Sequence, residues 1–200
     1  MQKHTIISIS RQYGSGGKEV AELVAKKMKV RCYDRQIVYL AAEQMGESDL
    51  DIDSILEDVY KTPESNLGSM GAYGFEAVPF YNRMFREQAK TIRRIADKES
   101  AVFLGRCADA VLKDYENCYS FFIYADEEYR KHRAAEFYNN QSVKEMDKEN
   151  KTREKYYNYY TGQKWGEPKN YDMLLDTSRL SLEDAAELII NYTKLRQKEI

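Results

Sequence analysis

The sequence predicts an α/β fold, with one parallel sheet covered by helices on both faces. Three observations lead there. Short, largely apolar runs at Thr5–Ser10, Ala101–Leu104 and Cys118–Tyr124 have the character of strands buried on both sides. Segments of helical period separate them, which is the pattern of β-α-β units. The first run passes through three glycines in four residues, Gly14-Ser15-Gly16-Gly17, straight into a helix.

The elements follow in order. Thr5–Ser10 is short and β-branched, and the glycines end it. Lys18–Met28 is a helix, with Val20, Leu23, Val24 and Met28 on one apolar face. Val30–Tyr33 is a short strand, and Asp34 can cap a helix from Arg35 to about Met45. Gly46–Asp53 is an acidic turn, after which Ile52, Ile55, Leu56 and Val59 suggest a short amphipathic helix. Thr62–Phe80, with Pro63, Gly68, Gly71, Gly74 and Pro79, is expected to be a loop. Helical period resumes over Phe80–Lys98.

Past the strand Ala101–Leu104 come a short helix, Ala108–Leu112, and the strand Cys118–Tyr124. Asp126 is placed to cap a helix running to about Phe137. Asn139–Lys155 is so polar that it is expected to be an exposed helical arm, followed by the tyrosine cluster at 156–160 and a Gly/Pro loop to Asn170. Tyr171–Asp176 is the last strand, and Ser181-Leu182-Glu183-Asp184 is a capping box for the final helix.

Composition narrows the function classes. The 200 residues suit a single domain over 1–200, with 42% hydrophobic and 32% charged residues. With 31 basic and 33 acidic side chains the net charge is −2, so general nucleic-acid binding is not expected and any anion site must rest on local Arg and Lys clusters. No apolar run is long enough for a membrane span, and the chain enters its first strand without a leader. Cys32, Cys107 and Cys118 are scattered, form no metal-ligand pattern and fit a reducing, cytoplasmic setting. The oligomeric state is open.

Strand, glycine loop, helix start and a lysine together make a phosphate cradle. Glycines let a ligand approach the backbone, and the first helical N–H groups point at it. The expected phosphate-binding set is Tyr13, Gly14, Ser15, Gly16, Gly17, Lys18 and Glu19. Gly17-Lys18 supplies the Gly-Lys pair of the pattern G-x-x-x-x-G-K-[ST], but the first Gly then falls on Gln12 and the final hydroxyl on Glu19. In a parallel sheet ligands bind beyond the carboxyl ends of the strands. Asp34, Arg35 and Arg106 stand at such ends. Asp34 is either an acceptor ligand or a helix cap; Arg106 either grips phosphate or pairs with Asp34 or Asp109.

Taken together, Ile9–Glu19, Tyr33-Asp34-Arg35, Phe103–Asp109 and Leu175-Asp176-Thr177 resemble the cytidylate kinase-like family of P-loop kinases, across nearly the whole chain. The resemblance implies a P-loop kinase fold with a five-stranded parallel core, a helical acceptor-binding insert within 46–98 and a lid over 139–160. It implies ATP and Mg²⁺ as cofactors, with no resident metal ligands assigned. It also implies a nucleoside monophosphate acceptor, CMP or dCMP foremost. The expected catalytic cations are Lys18, Arg106, Arg130 and Arg133, with Lys148, Lys151 and Arg153 closing from the lid. The chain departs from authentic cytidylate kinases at three places. Aligned on Gly14-Ser15-Gly16, their lysine falls on Gly17 and their threonine on Glu19, their Gly-Arg-Asp becomes Gly105-Arg106-Cys107, and their Arg/Asp-rich lid is only loosely matched by Asp147, Lys148, Lys151 and Arg153. Two other readings therefore stay open: a kinase for a different small acceptor, and a nucleotide-binding regulatory module without turnover.

Overall fold

The computed structural model describes residues 4–46, 60 and 74–197. Five strands form one wholly parallel sheet: β1 (Ile6–Arg11), β2 (Arg31–Tyr33), β3 (Ala101–Leu104), β4 (Cys118–Tyr124) and β5 (Met173–Asp176), in the order β2-β3-β1-β4-β5. β1 is central, with Ile9 opposite Leu104 on one side and Phe121 on the other. Parallel neighbours require crossovers, and helices supply them: α1 (Gly17–Met28), α2 (Gln36–Gln44), α3 (Gly74–Ala96), α4 (Ala108–Val111), α5 (Glu127–Phe137), α6 (Val143–Thr161) and α7 (Leu182–Gln197).

The pleat of β1 divides the core. Ile7 and Ile9 face Val20 and Val24 of α1 and Ala185 and Ile189 of α7. Ile6 faces the other way, onto Tyr33, Ile37, Ile92, Phe103 and Leu112. All these side chains are buried, which explains why the strands are apolar on both faces rather than alternating. Helix ends follow the sequence signals. Asp126 accepts from the Tyr129 N–H at 2.8 Å, and the Ser181 hydroxyl accepts from the Asp184 N–H at 3.0 Å.

Four expectations are corrected. β1 runs on to Arg11, past the expected end at Ser10. The residue capping α2 is Arg35; the Asp34 carboxylate is bonded to Arg106 instead. Residues 74–80, expected as loop, open α3, with Pro79 inside the helix. The polar stretch expected as an exposed arm is α6, which buries a stripe at Met146, Asn150, Arg153 and Tyr157 against the rest of the molecule. A capping box, Ser142 with Glu145, starts this helix. The expected helix ending near Val59 and the loop up to residue 73 lie outside the described residues. No helix among the described residues is long and apolar enough to cross a membrane.

Candidate active site

The loop after β1 is held from several sides. The Gln12 N–H donates to the Ile123 carbonyl at 2.8 Å, and the Gln12 amide oxygen accepts from the Ala125 N–H at 3.2 Å. The Ser15 hydroxyl donates to the Gln12 carbonyl at 2.8 Å, and the Thr177 hydroxyl donates to the Ser15 carbonyl at 2.7 Å. The fully buried Ser15 side chain thus shapes the loop rather than offering its hydroxyl to a ligand. Gly14 and Gly16 have φ of +82° and +78°, a region that favours glycine. Their open faces are taken up as well: a Cβ on Gly14 would stand 3.0 Å from Met146 Sδ, and one on Gly16 2.6 Å from Leu182 Cδ2. Gly16 precedes α1, so the unpaired N–H groups of its first turn open into a cleft of about 240 Å³, lined by Arg11–Gly14, Gly16–Lys18, Asp34, Arg35, Tyr138 and Arg153.

A smaller cavity, about 20 Å³ and large enough for one water, adjoins it at the ends of β1 and β3. Arg11, Tyr60, Arg106, Cys107, Arg153 and Tyr156 are on its wall. Arg11 and Arg153 line both spaces. Tyr60 is the hub of this group. The Arg106 guanidinium lies 4.8 Å from its ring centre, that of Arg153 6.0 Å, and Arg11 Nη1 is 3.5 Å from its hydroxyl. Burial alone would push the Tyr60 phenol up; the cations of Arg106 and Arg11 outweigh it and hold the group below its ordinary value.

The arginines are short of anions. Among the described residues, the one ion pair within this group joins Arg106 to Asp34, at 3.4 Å. Arg106 is 5% exposed, and its Nε and Nη1 are buried with no hydrogen-bond partner, as is Arg153 Nε. Burial and the neighbouring Arg11 charge pull Arg153 down to about 10. Three guanidinium groups crowded together, two of them with unspent donors, match a phosphate, whose oxygens accept bidentate pairs. The backbone is committed to this placement: Gly105, Arg106 and Cys107 all have positive φ, at 72°, 59° and 55°. Two of the three pay about 1–2 kcal/mol each for a left-handed conformation.

The other expected residues fall elsewhere. Lys18 is exposed and pairs with Glu22 at 3.8 Å, so its ammonium is not turned into the loop. Arg130 is buried and bonded to Asp147 of α6 at 2.8 Å, a tie between the two helices. Arg133 pairs with Glu19 at 2.5 Å and lines a separate, largely apolar cavity of about 420 Å³ with Leu23, Phe137 and Leu182. Arg35 lies at the rim of the loop cleft and is exposed. On α6, Lys148 and Lys151 face solvent, while Arg153 reaches the Arg11 carbonyl at 3.2 Å. The Asn150 amide oxygen accepts from the Tyr13 N–H at 2.6 Å, and the Arg153 guanidinium lies 5.1 Å from the Tyr13 ring centre. The tyrosine cluster packs the helix: Tyr160 stacks on Phe85 with ring centres 4.1 Å apart, and Tyr156 meets Tyr60 edge-on.

Sequence reasoning missed Arg11, Tyr60 and Asn150. A signal for Arg11 was present, since it occupies the first glycine position of the loop pattern once Gly16 is taken as the last. Tyr60 stands in a stretch without a motif, and Asn150 is one polar residue among many.

Comparison with known proteins extends this picture. The profile of the cytidylate kinase-like family matches residues 6–179. No curated protein matches the chain. Among solved structures, an uncharacterized protein from Eubacterium ventriosum ATCC 27560 is 26% identical with a TM-score of 0.72, the alignment covering 96% of this chain and 99% of that one. The APS kinase of Mycobacterium tuberculosis, solved with AMPPNP and APS, is 17% identical with a TM-score of 0.52, covering 96% and 98%. The shikimate kinase of Bacteroides thetaiotaomicron is 12% identical with a TM-score of 0.51, covering 95% and 98%. The two kinases share the fold. The family match runs from the first strand to just beyond the last and takes in both cavities, and the chain belongs to the cytidylate kinase-like family.

Proposed function

We propose that this protein is an ATP-dependent kinase that transfers the γ-phosphoryl group to a small phosphorylated acceptor, with CMP or dCMP as the leading candidates. One observation carries the reading: three guanidinium groups, those of Arg106 and Arg153 with buried and unpartnered donors, meet where the glycine-loop cleft joins a second cavity. Phosphoryl transfer asks the protein mainly for positioning and charge neutralisation at such a junction.

ATP fits the cleft on its own terms. Its phosphates would lie against the N–H groups of the loop, whose left-handed turns at Gly14 and Gly16 are packed from behind by Met146 and Leu182. The base has the apolar cavity beside Gly16, walled by Leu23, Phe137, Leu182 and the Arg133 guanidinium. Mg²⁺ carried by ATP would supply neutralisation of phosphate charge. Among the described residues no cluster of ligands would hold it independently, and Asp34 is the carboxylate on the cleft wall. Arg106 is the acceptor-side cation, and Arg153 spans donor and acceptor from α6. With room for one water, the acceptor cavity describes a closed state, so acceptor entry requires α6 or Tyr60 to move. The three cysteines are free thiols, in keeping with a cytoplasmic enzyme.

A second reading, a kinase for another small acceptor, is favoured by Cys107. It is buried against Tyr156 and Tyr157 where authentic cytidylate kinases have an acidic residue, so one polar handle on the acceptor is missing. The test is ADP release from Mg·ATP against nucleoside monophosphates and unrelated small acceptors. Turnover with CMP or dCMP, reduced on the order of 10²–10³-fold in kcat by Arg106→Ala, is the expected result. Turnover with another acceptor moves the assignment to the second reading. ATP binding without turnover on any acceptor would make the protein a nucleotide-binding module.

A further inference from the structure

We infer that Arg11, at the end of β1, supplies the phosphate-binding cation that a P-loop ordinarily takes from the lysine opening its helix. The inference rests on the kinase reading above and deepens it. In the pattern G-x-x-x-x-G-K, with Gly16 as the last glycine, position 11 is the first glycine and position 17 is the lysine. This chain has the two residue types the other way round: Arg11 and Gly17.

The geometry shows why the exchange is paired. A Cβ on Gly17 would collide with the Cβ of Arg11 and stand 3.0 Å from its Cγ. Side chains at positions 11 and 17 therefore occupy the same space, and only one of the two can carry a cation. Gly17 is free of positive φ, so the loop path does not explain its glycine; the Arg11 stem lying across it does. The guanidinium then extends toward β3, where a Cβ on Gly105 would collide with Nη1. Gly17 thus clears the path of the arginine stem, while the glycine at 105 is already required by its φ of 72°.

That path ends in the right place. Arg11 lines the loop cleft together with Gly14, Gly16 and Gly17, and it lines the acceptor cavity together with Arg106. A cation there faces phosphate from both sides of the transfer. Its side chain is bonded to the Tyr60 hydroxyl, and its carbonyl holds Arg153. The residue that motif reading selects for this work, Lys18, is exposed and paired with Glu22.

The experiment is calorimetric titration of ATP, ADP and AMP into the native protein, Arg11→Met, Arg11→Gly, Lys18→Ala and the exchange variant Arg11→Gly/Gly17→Lys, with thermal melting of each. Arg11→Met is expected to lose ATP affinity roughly 10–100-fold, the range for a hydrogen-bonded charge, and AMP affinity less than about threefold. The exchange variant rebuilds the ordinary loop order, with Ile123 Cβ the nearest remaining neighbour at 3.2 Å, and is expected to bind ATP at least about tenfold better than Arg11→Gly alone. Where Arg11→Met does not fold, the comparison between the two Arg11→Gly proteins decides. Native-like ATP binding by Arg11→Met, an exchange variant no better than Arg11→Gly, or a loss confined to Lys18→Ala would each overturn the inference. A native protein that binds no ATP would overturn the kinase reading, and this inference with it.

Discussion

Arg106 shows what a single residue is made to do. Its φ of 59° places a long, β-carbon-bearing side chain where glycine is at ease, between two further left-handed residues. The strain buys a fixed direction for the guanidinium. Arg106→Ala and Arg106→Gly both remove the charge, so both are expected to lose turnover to the same degree. They should differ in stability: Gly at this φ is relaxed and Ala is not, so Arg106→Gly should be the more stable by about 1 kcal/mol, or roughly 2–4 °C in Tm. Equal melting temperatures would mean that the backbone relaxes once the arginine is gone. At this scale the sequence was partly legible. Glycine and arginine at a strand end singled out Arg106, and the structure puts it on the wall of the small cavity. Arg11 was hidden because its meaning depends on Gly17 and Gly105, and steric exclusion across the loop has no local signature.

At the scale of elements, α6 is the piece whose role differs most from its composition. Its charges led to an exposed arm, yet the stripe from Met146 to Tyr157 lies on the loop and beside the small cavity at the ends of β1 and β3. Helical periodicity is normally read from apolar residues, whereas here a buried stripe contains Asn150 and Arg153. Their partners, the Tyr13 N–H and the Arg11 carbonyl, lie more than 130 residues earlier in the chain, so no window of sequence could reveal them. The Ser142 capping box fixes where the helix begins; its Ser-x-x-Glu spacing was passed over in the sequence, where the arm was opened at Asn139. Asn150→Ala should leave the Tyr13 amide without its acceptor, at a cost of about 1–3 kcal/mol locally. Hydrogen exchange at that amide is expected to accelerate at least about tenfold while the β1 amides remain protected. Unchanged exchange at Tyr13 would show that α6 is held down by other contacts.

For the molecule as a whole, the parallel sheet and the two-faced core were legible, because apolar strands alternating with amphipathic helices admit few other arrangements, while the strand order came only with the structure. What the pattern could not show is the ionisation built into the interior. Asp109 is 7% exposed; it accepts from the Tyr157 hydroxyl at 2.6 Å, and its other oxygen has no partner. Burial pushes its carboxyl up to about 6. The folded state therefore keeps this proton longer than the unfolded chain does, and its contribution to stability falls as pH rises from about 4 through 6. The loss is on the order of 3 kcal/mol once the group is fully ionised. Asp109→Asn keeps an acceptor for Tyr157 and has no charge to bury. Its stability relative to the native protein should rise between pH 4 and pH 7, measured by denaturant unfolding at each pH. A difference that stays flat across that range would mean that the Asp109 carboxyl titrates normally.

The crowding of positions 11 and 17 also bears on how such a loop can arise. A chain changing one residue at a time between the ordinary order and this one cannot pass through a protein with side chains at both positions, since their β-carbons collide. The passable intermediate has glycine at both, and it must bind phosphate through backbone N–H groups alone. The two loop types are thus separated in sequence space by a cation-free step, and a chain that has crossed it holds its glycine at 17 for as long as it holds its arginine at 11.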